Sequence, residues 1–91
     1  MITLFYLEHC PYCRNAKKAI QELTEENEAY RAISIQWIEE SRQPDVAEQY
    51  DYYHVPTVFC GNNKLYEATP GESYAQCKAQ LQKVFDQVLS L

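Results

Sequence analysis

The stretch MITLFYLEHCPYCRNAKKAI, residues 1–20, decides how the rest of the chain reads. Its first seven residues are apolar or aromatic except Thr3, as in a strand buried on both faces of a sheet. Glu8 and His9 interrupt that run, and from Pro11 the period changes. Ala16, Ala19, Ile20 and Leu23 follow i, i+3, i+4, i+7, with Lys17, Lys18, Glu22 and Glu25 on the other side. This spacing predicts a helix from Pro11 to about Asn27. The strand–helix junction falls on Cys10, and Cys13 lies one helical turn later.

Further along, AISIQWIE (32–39) alternates Ile33, Ile35 and Trp37 against Ser34 and Gln36. That predicts a strand with the first set the more buried face, in an edge position. Pro44 suits the first turn of a second helix, with Asp45 near the positive end of its dipole. Val46, Ala47, Tyr50 and Tyr53 would form its apolar stripe, leaving Tyr52 as the ring expected to face a partner. TVFC (57–60) reads as a central strand, Gly61-Asn62-Asn63 as a turn, and KLYE (64–67) as the return strand of a hairpin. Thr69-Pro70-Gly71-Glu72 has capping-box spacing, with Thr69 as the N-cap. The helix it would open carries the stripe Tyr74, Cys77, Leu81, Val84, Phe85, Val88 and Leu89. The expected order is βαβαββα, an α/β fold with a four-stranded mixed sheet flanked by helices, in one domain over residues 1–91.

Composition narrows the function. A chain of 91 residues, 46% hydrophobic and with only two glycines, suits a small globular core. Thirteen acidic residues against eight basic ones give a net charge of −5 and no basic stripe, so nucleic acid is not an expected partner. The N-terminal apolar run is too short for a signal h-region or a membrane span. The expectation is a cytoplasmic, monomeric protein with no membrane partner. In a reducing compartment a CxxC pair reads as catalytic or metal-binding before it reads as a staple.

A cysteine at a helix start meets free backbone N–H groups and the positive end of the dipole, both of which stabilise a thiolate. Arg14, Lys17 and Lys18 follow within two turns and add positive charge. A thiolate at Cys10 can attack a disulfide, and Cys13 can then resolve the mixed disulfide. Pro11 removes a backbone donor and stiffens the turn. Two other uses of the pair weigh less. A zinc site would have to recruit Cys60 and Cys77, which end a central strand and lie on an apolar stripe, as small buried hydrophobes do. A structural 10–13 disulfide would close a very small loop and add little stability. Downstream, Pro56 opens the third strand, where a residue without an N–H is tolerated, and the Val55 backbone before it is a candidate for pairing with an extended peptide. His9 reads either as a proton-transfer group beside Cys10 or as a solvent-facing loop residue.

CPYC after a first strand, Val55-Pro56 before the third, and the βαβαββα order together resemble the glutaredoxin branch of the thioredoxin superfamily, over essentially the whole chain. The resemblance implies a thioredoxin-like fold and a dithiol–disulfide oxidoreductase serving cell redox homeostasis and electron transport. It also implies that Cys10 is the nucleophile and Cys13 the resolving cysteine. Tyr12, Val55, Pro56, Gly71 and Glu72 would contact substrate or glutathione. Disulfide-containing proteins or glutathione mixed disulfides would be the substrates, with glutathione or a reductase as electron donor and no tightly bound cofactor. Two positions depart from the family pattern. Where a lysine commonly precedes the first cysteine, this chain has Leu7-Glu8-His9. Where Gly-Gly and an aspartate commonly precede the last helix, it has Thr69-Pro70-Gly71-Glu72-Ser73. Val-Pro-Thr is also similar to the Ile-Pro-Thr of thioredoxins, whose Trp-Cys-Gly-Pro-Cys is missing here. A glutathione-independent thioredoxin-type reductant, an iron–sulfur cluster carrier and a redox-inactive binding module therefore stand as alternatives on the same fold.

Overall fold

The computed structural model describes Met1 to Leu91. Strand β1 (Ile2–Tyr6) leads into helix α1 (Pro11–Glu26), and a 3-10 turn over Glu28–Ala32 precedes β2 (Ile35–Glu39). A single-turn helix α2 (Pro44–Ala47) is followed by the hairpin of β3 (Thr57–Cys60) and β4 (Asn63–Glu67), and α3 (Tyr74–Leu89) closes the order. The sheet runs β2-β1-β3-β4. β1 and β2 are parallel, and the β1–β3 and β3–β4 pairs are antiparallel. No helix is long and apolar enough to cross a membrane.

Both faces of β1 are covered, which is why its side chains are apolar without alternation. Ile2 and Leu4, with Val58 of β3, pack under Ala16, Ala19, Ile20 and Leu23 of α1 and Cys77, Leu81, Val84 and Phe85 of α3. Phe5 points the other way, into a smaller cluster with Ile38 and Phe59 that Val46, Ala47, Tyr50, Tyr52 and Val55 wall in. Fully burying each of the larger side chains contributes about 1.5–3 kcal/mol. The two-sided packing of β1 fixes where its C-terminal end, and so Cys10, stands.

Three expectations are corrected. The 3-10 turn, capped by the Asn27 side chain accepting the Ala29 N–H at 3.0 Å, delays the start of β2 to Ile35. Within β2, which does occupy an edge, Trp37 is 37% exposed with its ring edge-on to Tyr6, whereas Ile38 on the opposite face is buried. The main core packs against Ile33 and Ile35 but leaves Trp37 overhanging.

The second correction concerns the tyrosines. Helix α2 stops at Ala47, so the helical stripe does not extend to Tyr53, which is 85% exposed. Tyr52 takes the inner place instead, its ring stacked on Phe5 at 5.0 Å and its hydroxyl donating to Glu40 at 3.1 Å.

The third lies before α3. Gly71 adopts φ +87°, outside helical geometry, and the helix starts after Ser73. The capping box is Ser73 with Gln76: the hydroxyl accepts the Gln76 N–H at 3.1 Å, and the carboxamide accepts the Ser73 N–H at 2.7 Å. Thr69 and Glu72 keep half of the expected exchange, the carboxylate accepting the Thr69 N–H at 2.9 Å within a tight turn. Leu89, expected on the stripe, is 43% exposed.

Candidate active site

Parallel pairing of Tyr6 with Glu39 and antiparallel pairing of Phe5 with Thr57 and of Thr57 with Glu67 bring four strand ends to one side of the sheet. The loop Leu7–His9 leaves that side and delivers Cys10 to the N-cap of α1, in an extended conformation (φ −86°, ψ 122°). No side chain caps this helix, its first turn holds no acidic residue, and Pro11 starts it. The free N–H groups of that turn face the Cys10 position without a competing carboxylate on the helix.

Cys10 is half-buried, and its thiol faces the Val55 carbonyl at 4.0 Å. The bond from Val55 to Pro56 is cis, and Pro56 is fully buried. Cys13 lies beneath, buried and close to Cys10, with its sulfur accepting the Leu7 N–H at 3.4 Å. Burial pushes the Cys13 thiol up to about 12, and the neighbouring Cys10 adds to the rise while the Leu7 N–H opposes it. One thiol is thus accessible and the other shielded. Tyr12 reaches across to the turn before α3, its hydroxyl accepting the Gly71 N–H at 2.7 Å. Cys10 and Cys13 therefore lie close to Val55 and Pro56, while Tyr12 joins the same helix start to Gly71.

Glu72 is adjacent to this group but directed inward. One of its carboxylate oxygens accepts the Thr69 N–H and the other the Tyr66 hydroxyl, whose oxygen lies 3.5 Å from the Cys77 sulfur. Of the three cations expected near Cys10, Arg14 and Lys17 line a cleft of about 180 Å³ with Cys13 and His9. Lys18 turns to α3, its ammonium 4.9 Å from the centre of the Tyr74 ring. His9 is exposed and holds φ 65°, a left-handed conformation uncommon outside glycine that reverses the chain just before the first cysteine.

Two carboxylates escaped the sequence reading. Glu39, buried at the end of β2, accepts the Ser41 hydroxyl at 2.6 Å and backbone N–H groups of Ser41 and Glu8 at 2.7 and 3.3 Å, bracing the loop into Cys10. The Ser41 hydroxyl holds its carboxyl below the ordinary range against the opposing effect of burial. Glu67, at the end of β4, gathers the segment before Val55. Burial would raise its carboxyl, but Lys64 and the Tyr53 and His54 N–H groups outweigh that and hold it at about 2. Neither residue has a local sequence signal. Only strand register shows what each one meets.

A four-stranded mixed sheet with helices on both faces and a CxxC at the first strand–helix junction defines a protein of thioredoxin-like fold. Two solved structures share it over nearly the whole chain. One, titled "Structure of a malarial protein", is 14% identical, with a TM-score of 0.60 over 90% of this chain and 92% of that one. The other, thioredoxin 1 from the thermophilic eubacterium Thermosipho africanus, is 18% identical, with a TM-score of 0.59 over 96% of each chain. A glutaredoxin family model matches residues 2–65, and the chain belongs to the glutaredoxin family. That match spans both cysteines and Val55-Pro56 and ends before the Thr69–Glu72 turn. No curated protein sequence matches it. Family and fold support thiol–disulfide oxidoreductase chemistry in general.

Proposed function

We propose that the protein is a dithiol–disulfide oxidoreductase that reduces protein disulfides or glutathione mixed disulfides, with Cys10 as nucleophile and Cys13 as resolving cysteine. The observation that carries this is the unequal pair: a half-buried Cys10 at a helix N-cap, facing a backbone carbonyl, in contact with a buried Cys13. The Cys10 thiolate attacks one sulfur of the substrate and expels the other as a thiolate. Cys13, on losing its proton, attacks the Cys10 sulfur and expels the second substrate thiolate. The substrate gains two electrons and the protein is left with a 10–13 disulfide. An external thiol, glutathione or a reductase, reopens it, and no tightly bound cofactor takes part. The Val55 carbonyl facing Cys10 supports its role as a substrate contact, and Tyr12, between the two cysteines in sequence, is taken as a second.

One observation favours protein disulfides over glutathione. Both oxygens of Glu72, the acid that would meet the glutamyl end of glutathione, are engaged within the chain. Cys13→Ser, incubated with oxidised glutathione and weighed by mass spectrometry, separates the cases. One stable adduct on Cys10 with retained deglutathionylation indicates the glutaredoxin route. Absence of the adduct, with the unmutated protein reducing protein disulfides, indicates the thioredoxin-type route. If there is neither adduct nor reduction, the proposal fails.

The buried thiol also sets a pH dependence. Burial, the largest cause, holds the Cys13 thiol above its ordinary value in the mixed disulfide as well. Its thiolate fraction therefore climbs with pH through the neutral range, and only the thiolate closes the 10–13 bond. The release of the second substrate thiol, followed by rapid mixing, should accelerate about tenfold per pH unit from about pH 7 to 9. A flat profile over that range would show that Cys13 loses its proton by another means.

A further inference from the structure

We infer that Glu67 is a positioning residue for substrate binding: its carboxylate clamps the Tyr53–His54 backbone and so holds the Val55 carbonyl in front of Cys10. This rests on the proposed disulfide reduction and adds a residue to it that does not touch the reacting sulfurs. Glu67 ends β4, directly across the ladder from Thr57, the first residue after Pro56. One carboxylate oxygen accepts the Tyr53 N–H at 2.9 Å and the His54 N–H at 2.8 Å, with the His54 Nδ1 at 3.2 Å. The other oxygen pairs with the Lys64 ammonium at 2.6 Å, and that ammonium also donates to the Asp51 carbonyl at 3.3 Å.

These bonds matter because Tyr53 and His54 have no packing of their own, in contrast to Tyr52 and Val55 on either side, which pack against the Phe5 cluster. Helix α2 has ended at Ala47, no strand begins until Thr57, and Tyr53 and His54 are exposed. Consecutive N–H groups converging on one carboxylate oxygen are charge-assisted bonds, stronger than neutral ones. On the Pro56 side the chain is fixed by the Ala68 N–H donating to the Pro56 carbonyl at 2.9 Å. Val55 lies between the two anchors, and its carbonyl is 4.0 Å from the Cys10 sulfur. With the Glu67 anchor gone, the Tyr53–His54 turn would loosen. The Val55 carbonyl, still anchored by its side chain and by Pro56, would be aimed less closely, so a substrate strand pairing with it would have to order it first. The cost falls on binding rather than on sulfur exchange.

The test measures steady-state reduction of a short peptide carrying one disulfide, with dithiothreitol as the recycling reductant. Glu67→Ala should raise KM about tenfold and leave kcat within about twofold. Glu67→Asp keeps the charge but draws the carboxylate back by one methylene, and should raise KM about three- to fivefold. Glu67→Gln keeps one oxygen acceptor at the same reach but loses the charge and sets an amide NH2 against the Lys64 ammonium, so it should raise KM by about two- to fourfold, less than the Ala variant does. A merely structural role would lower Tm with KM unmoved. KM unchanged in both Ala and Asp variants overturns the inference, and the Asp variant decides alone if the Ala variant does not fold. If the unmutated protein leaves the peptide oxidised, the proposed function itself falls, and the inference with it.

Discussion

Cys10→Ser is expected to lower disulfide reduction at least about a thousandfold, roughly 4 kcal/mol of barrier, with the fold intact. A serine hydroxyl is not ionised near neutral pH and does not exchange with a disulfide sulfur, so the first bond of the reaction cannot form. Cys13 cannot take over, because it is buried and its thiol is pushed up to about 12. The same change should cost little stability. Cys10 occupies the N-cap of α1 and makes no side-chain cap bond. Serine is among the favoured N-cap residues, and gaining such a bond can contribute about 1 kcal/mol. Steady-state reduction of a protein disulfide and a thermal melt on the same sample check both halves. More than about a tenth of the starting rate, in a variant with an unchanged melt, would place the nucleophile elsewhere. Cys60, half-buried at the end of β3, would then be the next residue to replace.

Elements with a long local period were legible in the sequence. The unbroken apolar run of β1, the stripe of α1 and the turn chemistry at Gly61 each reflect one neighbourhood, and their order sets the sheet. The cysteine pair was legible for the same reason, since a strand end and a helix start are both local signals. What was not legible depends on distant parts of the chain. Tyr52 and Tyr53 exchange roles because α2 ends after one turn, and the inner ring is the one that meets Phe5. The start of α3 shifts because Gly71 takes a positive φ while donating its N–H to Tyr12, a partner 59 residues away. Glu39 and Glu67 look like any other acid among thirteen until register places each beside unpaired backbone N–H groups. The position of the cysteine pair could thus be read from the chain, whereas the residues that brace the loops around it could not.

Phe85→Ala is expected to destabilise the protein by about 3–5 kcal/mol, enough to leave it largely unfolded at modestly raised temperature. Phe85 lies on the inner face of α3, fully buried, and its ring meets that of Tyr30 at 5.3 Å between centroids. Removing the ring leaves a cavity between α3 and the 3-10 turn that the backbone cannot readily fill. The adjacent Tyr30 hydroxyl is tied to Asp86 at 2.5 Å, which holds the tyrosine ring from collapsing into the gap. A domain of this size has about 5–14 kcal/mol of total stability, so the loss is about a fifth of it at the least and as much as all of it. The melting midpoint should fall by about 15 °C or more. Leu89→Ala, on the same helix but 43% exposed, should shift it by only about a few degrees, since surface changes stay within about 0.5 kcal/mol. Chemical denaturation of the two variants side by side checks the contrast. Equal losses would mean that α3 is held by its whole surface rather than by the Phe85 contact.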